Sequence, residues 1–186
     1  MKRFTVLWAL VLCGCMAAMA QSSQQPPTLS RVMDNQLKSV EGEFVPAAEA
    51  MPEDKFDYAP TEGEFKGVRT FAQQVRHVAA VNYMIGAALL GEKPPVDTAG
   101  ESGPESLKTK ADIVKFLKDS FVYEHKAYAS MNDKNALQLV PSPFGQGKIT
   151  RLGLATTEVG HCFDHYGQMV EYLRANGVIP PASRPR

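Results

Sequence analysis

His161 and His165 stand four residues apart in the run Thr157-Glu158-Val159-Gly160-His161-Cys162-Phe163-Asp164-His165, and a third histidine, His77, lies far upstream. Residues i and i+4 of a helix share a face, so the pair can present two imidazoles to one small cation. His77 on a packed neighbouring helix would complete a three-histidine face with room left for water or substrate. Three protein ligands and an open fourth position is the arrangement of catalytic zinc sites. The chain has 4 histidines, so such a site would use all but His125.

The neighbours of the pair decide how it is placed. At about 100° per residue, His165 falls about 40° from His161, with Leu154 and Tyr172 between them and Met169 close by. The two imidazoles therefore share an apolar, inward face. Buried side by side, they need partners for their ring nitrogens. A metal would supply one for each; histidines hydrogen-bonded within a core, with His77 unrelated, is the alternative. Glu158 lies about 60° from His161 on the same side. It is a candidate general base for an activated water, or else a structural partner for Arg69, Arg76 or Arg151. Asp164, about 60° to the other flank, is a candidate to accept a histidine N–H. Cys162 sits about 100° away and reads as a small core side chain. His125, beside Glu124, reads as a surface or half-buried residue.

The elements that must position these side chains are helical. The first stretch opens at Pro26-Pro27-Thr28, carries Leu29, Val32, Met33, Leu37, Val40 and Phe44 near helical spacing, and ends near Met51-Pro52, with Pro46 expected to kink or restart it. The second starts at Thr70, where Thr70-Phe71-Ala72-Gln73 matches a capping box, and runs to Leu90 with His77 beside Val81, Met84 and Ala88. The third runs from Thr109 to Met131 with Ile113, Phe116, Leu117, Phe121, Glu124 and Tyr128 inward. The fourth runs from Ile149 to Asn176 and is stopped by Gly177 and Pro180-Pro181. The intervening segments hold Pro94, Pro95, Gly100, Gly103 and Pro104, then Pro141, Pro143, Gly145 and Gly147, and read as loops. No segment alternates long enough to be a strand. Four apolar stripes of similar length are buried most simply in an all-α four-helix bundle.

Composition narrows the class. Lys+Arg and Asp+Glu are balanced at 20 each with no basic stripe, which argues against nucleic acid as a partner. Lys2 and Arg3, an apolar run from Thr5 to Leu12 and Ala18-Met19-Ala20 have the pattern of a secretory signal cleaved before Gln21. A periplasmic or secreted location is expected, with a single domain over residues 21–186. A lipoprotein anchored at Cys15 is the alternative. Cys13 and Cys15 would leave with the signal, so Cys162 alone remains and no internal disulfide can form. No later apolar run is long enough to span a membrane.

The flanking residues carry a family likeness. Gly160-His161-Cys162-Phe163-Asp164-His165-Tyr166-Gly167-Gln168-Met169-Val170-Glu171-Tyr172-Leu173-Arg174, followed by Gly177-Val178-Ile179-Pro180-Pro181, resembles the last helix and tail of the DinB-like (YfiT-like) metalloenzyme family. Met51-Pro52-Glu53-Asp54-Lys55-Phe56-Asp57-Tyr58 with Pro60 resembles its first interhelical loop. Phe71-Ala72-Gln73-Gln74-Val75-Arg76-His77 resembles its second helix, which holds the remaining histidine. The likeness spans residues 29 to 183.

This resemblance implies a four-helix bundle of the DinB/YfiT-like type with a divalent metal held by His77, His161 and His165. Zinc is the first expectation, with nickel, iron, manganese and cobalt open to the same ligands. It also implies a metal-dependent enzyme performing hydrolysis or thiol or group transfer on a small molecule. The alternative is a non-catalytic bundle that holds a metal or small ligand. A homodimer is left open. Cytosolic thiol cofactors are scarcer outside the cell, so export counts against the thiol-transfer role.

Overall fold

The computed structural model describes residues 26–185. The expected leader Met1–Ala20, with its cleavage motif and Cys15, lies outside the described residues. Four helices dominate: α1 (Leu29–Ala50), α2 (Phe71–Leu90), α3 (Lys110–Ala129) and α4 (Arg151–Ala175). Each begins at a threonine whose hydroxyl accepts a first-turn N–H: Thr28, Thr70, Thr109 and Thr150. Such caps satisfy donors that the helix itself leaves orphaned. The expected capping box is present, with Gln73 Oε1 accepting from the Thr70 N–H at 2.8 Å. Gly91, in the left-handed conformation, ends α2, as a C-terminal glycine does.

The helices do not pack in simple sequential order. α2 makes its largest contact with α3 and a second with α4, while α1 packs against α4 and α3. α1 and α2 are therefore diagonal, as are α3 and α4. Residues 51–70 accordingly carry the chain across the end of the bundle. One core fills the centre, with Leu37, Phe44, Phe71, Leu117, Phe121, Tyr128, Leu154 and Leu173 all buried. α2 and α3 approach closely at Gly86, where an added Cβ would lie 2.8 Å from ring carbons of Tyr123 on α3. Only glycine lets α2 and α3 approach this closely there.

Two expectations are corrected. Pro46 does not restart α1, which runs unbroken through it. The carbonyl left without a donor belongs to Gly42, an exposed residue, where solvent can replace the missing N–H. The second concerns the expected start of the fourth helix at Ile149. Lys148–Thr150 instead form β2, paired antiparallel with β1 (Leu139–Pro141), and α4 begins at Arg151. The segment leading into β1 supplies acceptors to the new helix. Arg151 and Leu152 donate their N–H groups to the carbonyls of Gln138 and Ala136 at 3.0 and 2.9 Å. Three residues per strand leave no room for an alternating pattern, so the sequence carries no strand signal there.

The long loop after α2 folds back onto that helix. Gly103 has φ +70°, and an added Cβ would lie 2.8 Å from the Arg76 carbonyl. Arg76 in turn donates to the Pro104 carbonyl at 3.3 Å. This clamp brings the backbone of Glu101 to His77. Among the described residues no helix is long and apolar enough to cross a membrane.

Candidate metal centre

α2 and α4 are neighbours, and they turn His77, His161 and His165 into one place. One ring nitrogen from each lies within 4.8 Å of the others. The Nε2 atoms of His77 and His161 are 3.0 Å apart. His77 and His165 are buried and His161 is half-buried. The three rings stand edge to face, with centroids 4.5 to 5.0 Å apart.

Hydrogen bonds fix the tautomers. His77 Nδ1 meets the Glu101 carbonyl at 2.5 Å. A carbonyl can only accept, so this nitrogen carries the proton and Nε2 keeps its lone pair. His165 Nδ1 faces Gln74 Oε1 and is fixed in the same way. Gln74 passes the constraint onward: its amide donates to Gln168 Oε1 at 2.8 Å, and Gln168 donates to Asp164 Oδ2 at 2.9 Å. The result is a chain from an exposed carboxylate through two amides to a buried imidazole.

Electrostatics keep the rings neutral. Burial, reinforced by the neighbouring imidazoles, pushes His161 down to about 3. Burial with the nearby His77 pushes His165 down to about 4. His77 is also lowered, chiefly by burial.

Three neutral imidazoles thus converge, two of them with Nε2 fixed as an acceptor. A single proton on His161 Nε2 could satisfy one of those lone pairs, whereas a cation at their common focus satisfies all three. Zn–N bonds are about 2.0–2.1 Å long, so two ligand nitrogens separated by about 3 Å can share an ion. The donor set fits a divalent transition metal, with imidazole suiting zinc, copper, iron or nickel. His161 Nδ1 is buried and has no partner among the described residues. It is the one ring nitrogen here whose orientation the protein does not fix from behind.

The three histidines form the floor of a cavity of about 370 Å³. Val81 and Ile85 of α2 continue the floor; Arg69, Glu101, Thr157 and Phe144, from the hairpin turn, form the rim. The site is therefore open on one side.

Other candidates are placed differently from expectation. Glu158 does not line this cavity. It points into the core and pairs with none of Arg69, Arg76 or Arg151, since a fully buried position on α4 is beyond their reach. Its Oε1 accepts from Cys162 Sγ at 3.0 Å. The Asn82 amide, oriented to satisfy its surroundings, donates to Glu158 and to the Val78 carbonyl. Glu124 of α3 shares this interior, with both oxygens unpartnered among the described residues. Burial drives Glu158 up to about 7, and burial with the proximity of Glu158 drives Glu124 well above its ordinary range. Cys162 is wholly buried and its thiol is pushed up by burial, which makes it an inert core side chain. Asp164 accepts from Gln168 and not directly from a histidine. His125, half-buried, bridges α3 to α1 between Asp34 (2.6 Å) and Glu41 (2.9 Å).

Sequence reasoning missed three groups at the site: Gln74, the Glu101 carbonyl and Arg69 as part of the cavity rim. Gln74 precedes His77 by three residues, so a helical wheel could have placed it on the same side. A backbone carbonyl has no sequence signature.

A helical bundle with three imidazoles projecting from facing helices is of the kind that builds ligand and metal sites between its helices. The sequence profile of the DinB superfamily matches residues 36–169, and the chain belongs to that superfamily. Its fold is similar to that of YfiT from Bacillus subtilis, at 19% sequence identity and TM-score 0.60, covering 83% of this chain and 93% of that one. YfiT is described as a probable metal-dependent hydrolase with an unusual four-helix bundle topology. A DinB-like protein from Bacillus subtilis, YjoA, is 15% identical with TM-score 0.62, covering 83% and 99% of the two chains. A DinB-like protein from Bacillus cereus is 14% identical with TM-score 0.61, covering 83% and 96%. A comparison with curated proteins found no match. At these identities the solved structures speak for the fold: a four-helix bundle of the DinB/YfiT type.

Proposed function

We propose that the chain is a divalent-metal-dependent hydrolase whose metal is held by His77, His161 and His165. The observation that carries this reading is the convergence of three neutral imidazoles, two with oriented lone pairs, on the floor of an open cavity. The description of YfiT as a probable metal-dependent hydrolase points the same way. A divalent cation with an open position lowers the pKa of water and so supplies a nucleophile near neutral pH. The protein's own part is positional. The Glu101 carbonyl and the Gln74–Gln168–Asp164 chain hold two imidazoles in the tautomer that leaves Nε2 free. Val81 and Ile85 give the floor an apolar side that limits competing water. Among the described residues no carboxylate joins the three-histidine cluster; Glu158 groups with His161 and Cys162 alone, on the core side.

Elemental analysis of protein purified without chelator should find close to one equivalent of a transition metal. Stripping it and restoring zinc should switch hydrolysis of a panel of small esters, amides and phosphoesters off and on. Metal bound with no turnover across the panel would point instead to a ligand-holding bundle. Absence of any metal affinity would reduce the histidines to core packing.

The chain of amides behind His165 makes a separate expectation. Gln74→Leu keeps the side-chain volume but removes the acceptor that fixes the Nδ1 proton. Losing such an outer partner costs about 10–100-fold in metal affinity. Competition titration with a chromophoric chelator should show that loss for Gln74→Leu and no loss for Gln73→Leu. Gln73 is on the exposed side of the same helix, where its amide caps Thr70 instead.

A further inference from the structure

The two opposite charges at the cavity rim, Arg69 and Glu101, are not paired with each other. Arg69 stands there in the last residues before the Thr70 cap, and its guanidinium makes no ion pair among the described residues. Its backbone is fixed from the α4 side, where the Tyr172 hydroxyl donates to the Arg69 carbonyl at 3.1 Å. It lines the same cavity as all three histidines. The one carboxylate at the rim is Glu101, whose backbone serves His77; its side chain is beyond ion-pair distance of Arg69. Three neutral ligands leave the charge of any bound divalent cation uncompensated. Arg69 and Glu101 cancel in formal charge, so the cavity is net positive only with a cation bound; without one, its anion-binding group is the unpaired Arg69 guanidinium.

The remaining lining includes an apolar surface. Val81 and Ile85 are buried beneath it, and Phe144 leans over it from the hairpin turn with 42% of its surface exposed. This partly exposed phenyl ring lines the cavity and can offer a face to whatever enters.

We infer that the cavity takes a small organic anion, its carboxylate or phosphate held by Arg69 and its apolar body laid against Val81, Ile85 and Phe144. Placing the reacting group of this molecule over the three histidines rests on the reading of that cluster as a metal centre; the contact with Arg69 does not. The chemistry is that of the guanidinium: a planar fork of N–H donors matches the two oxygens of a carboxylate or phosphate. A concave, low-dielectric wall concentrates that positive field where the molecule must enter. The 370 Å³ of space is at the small end of ligand pockets, which suits one ring or short chain with one anionic group.

Calorimetric titration separates this from the metal reading. The probes are 3-phenylpropionate, benzylphosphonate and the neutral 3-phenylpropionamide, each titrated into the full protein in metal-free and zinc-loaded form. At least one anion should bind about tenfold or more tighter than the amide even without metal, the margin expected of one charge-assisted contact at a partly exposed site. Which anion is preferred assigns carboxylate or phosphate. In Arg69→Met the preference in the metal-free protein should vanish while the amide binds as before. The exposed Arg69 side chain makes no hydrogen bond or ion pair among the described residues, so this variant should fold, with unchanged helical circular dichroism as the control. Equal binding of anions and amide overturns the inference, as does a preference that survives in Arg69→Met. Failure of every probe to bind up to about 10 mM overturns it too. If zinc does not bind but the anion preference behaves as described, the metal reading fails and the anion site stands.

Discussion

His161→Ala should lose metal affinity by more than about a hundredfold and still fold. Structural zinc sites with four ligands yield about 10–16 kcal/mol, so one ligand is worth roughly 3 kcal/mol, more than two decades in Kd. The fold does not depend on that ring. His161 is half-buried at the cavity floor, whereas the core is closed by Leu37, Phe44, Phe71, Phe121, Tyr128 and Leu154. The centre links only α2 to α4, and the α2–α3, α1–α4 and α1–α3 contacts are made without it. Two observables separate the effects. Excess zinc at about 100 times its Kd should stabilise the parent by about 2.7 kcal/mol, a rise of roughly 5–10 °C in Tm for a domain of this size. The same zinc should leave the Tm of His161→Ala unmoved. In metal-free buffer the two proteins should melt cooperatively within a few degrees of each other. An unfolded His161→Ala protein would make the metal a structural staple and remove the case for an open reactive position.

The fold was readable because its signals are local. The threonine caps, the box closed by Gln73 and the glycine after Leu90 are satisfied within one helical turn. The inward stripe of α3 from Ile113 to Tyr128, Glu124 included, follows from a period of 3.6. The histidine pair on α4 was readable for the same reason, and the structure brings His77 to it. What was not readable depends on contacts between residues far apart in sequence. Gln74 meets Gln168 across 94 residues, and nothing in the spacing of either marks the pairing. The hairpin of β1 and β2 is held by backbone bonds whose partners no side-chain pattern records. Glu158 shows how a wheel can place a side chain on the right face and misjudge its depth. Being inward put it beyond the reach of surface arginines and beside a second buried carboxyl.

The metal-free protein should be most stable in mildly acidic solution and lose stability as pH rises above about 6.5, because of Glu124 and Glu158. An acid whose pKa is higher in the folded than in the unfolded chain is most favourable to folding when protonated in both. Above the unfolded value near 4.5 the unfolded chain releases its proton while the native chain keeps it. Stability then falls by about 1.4 kcal/mol per pH unit for each such group until the folded pKa is reached. For Glu158 the window runs from 4.5 to about 7; for Glu124, raised well above 4.5, it extends further. The histidines act oppositely. Their folded pKa values lie below the unfolded 6.5, so their protonation favours the unfolded chain and stability rises with pH up to about 6.5. The two sets oppose each other between 4.5 and 6.5, and above 6.5 only the carboxyls remain. Urea titrations in EDTA at pH 6.5, 7.5 and 8.5 should show this decline in the parent and a nearly level profile in Glu124→Gln/Glu158→Gln. The slope is the readout, because a buried amide with unmet N–H groups costs about 1–3 kcal/mol at every pH. A parent whose stability holds or climbs from pH 6.5 to 8.5 would mean that the two carboxyls are already ionised and compensated inside the bundle.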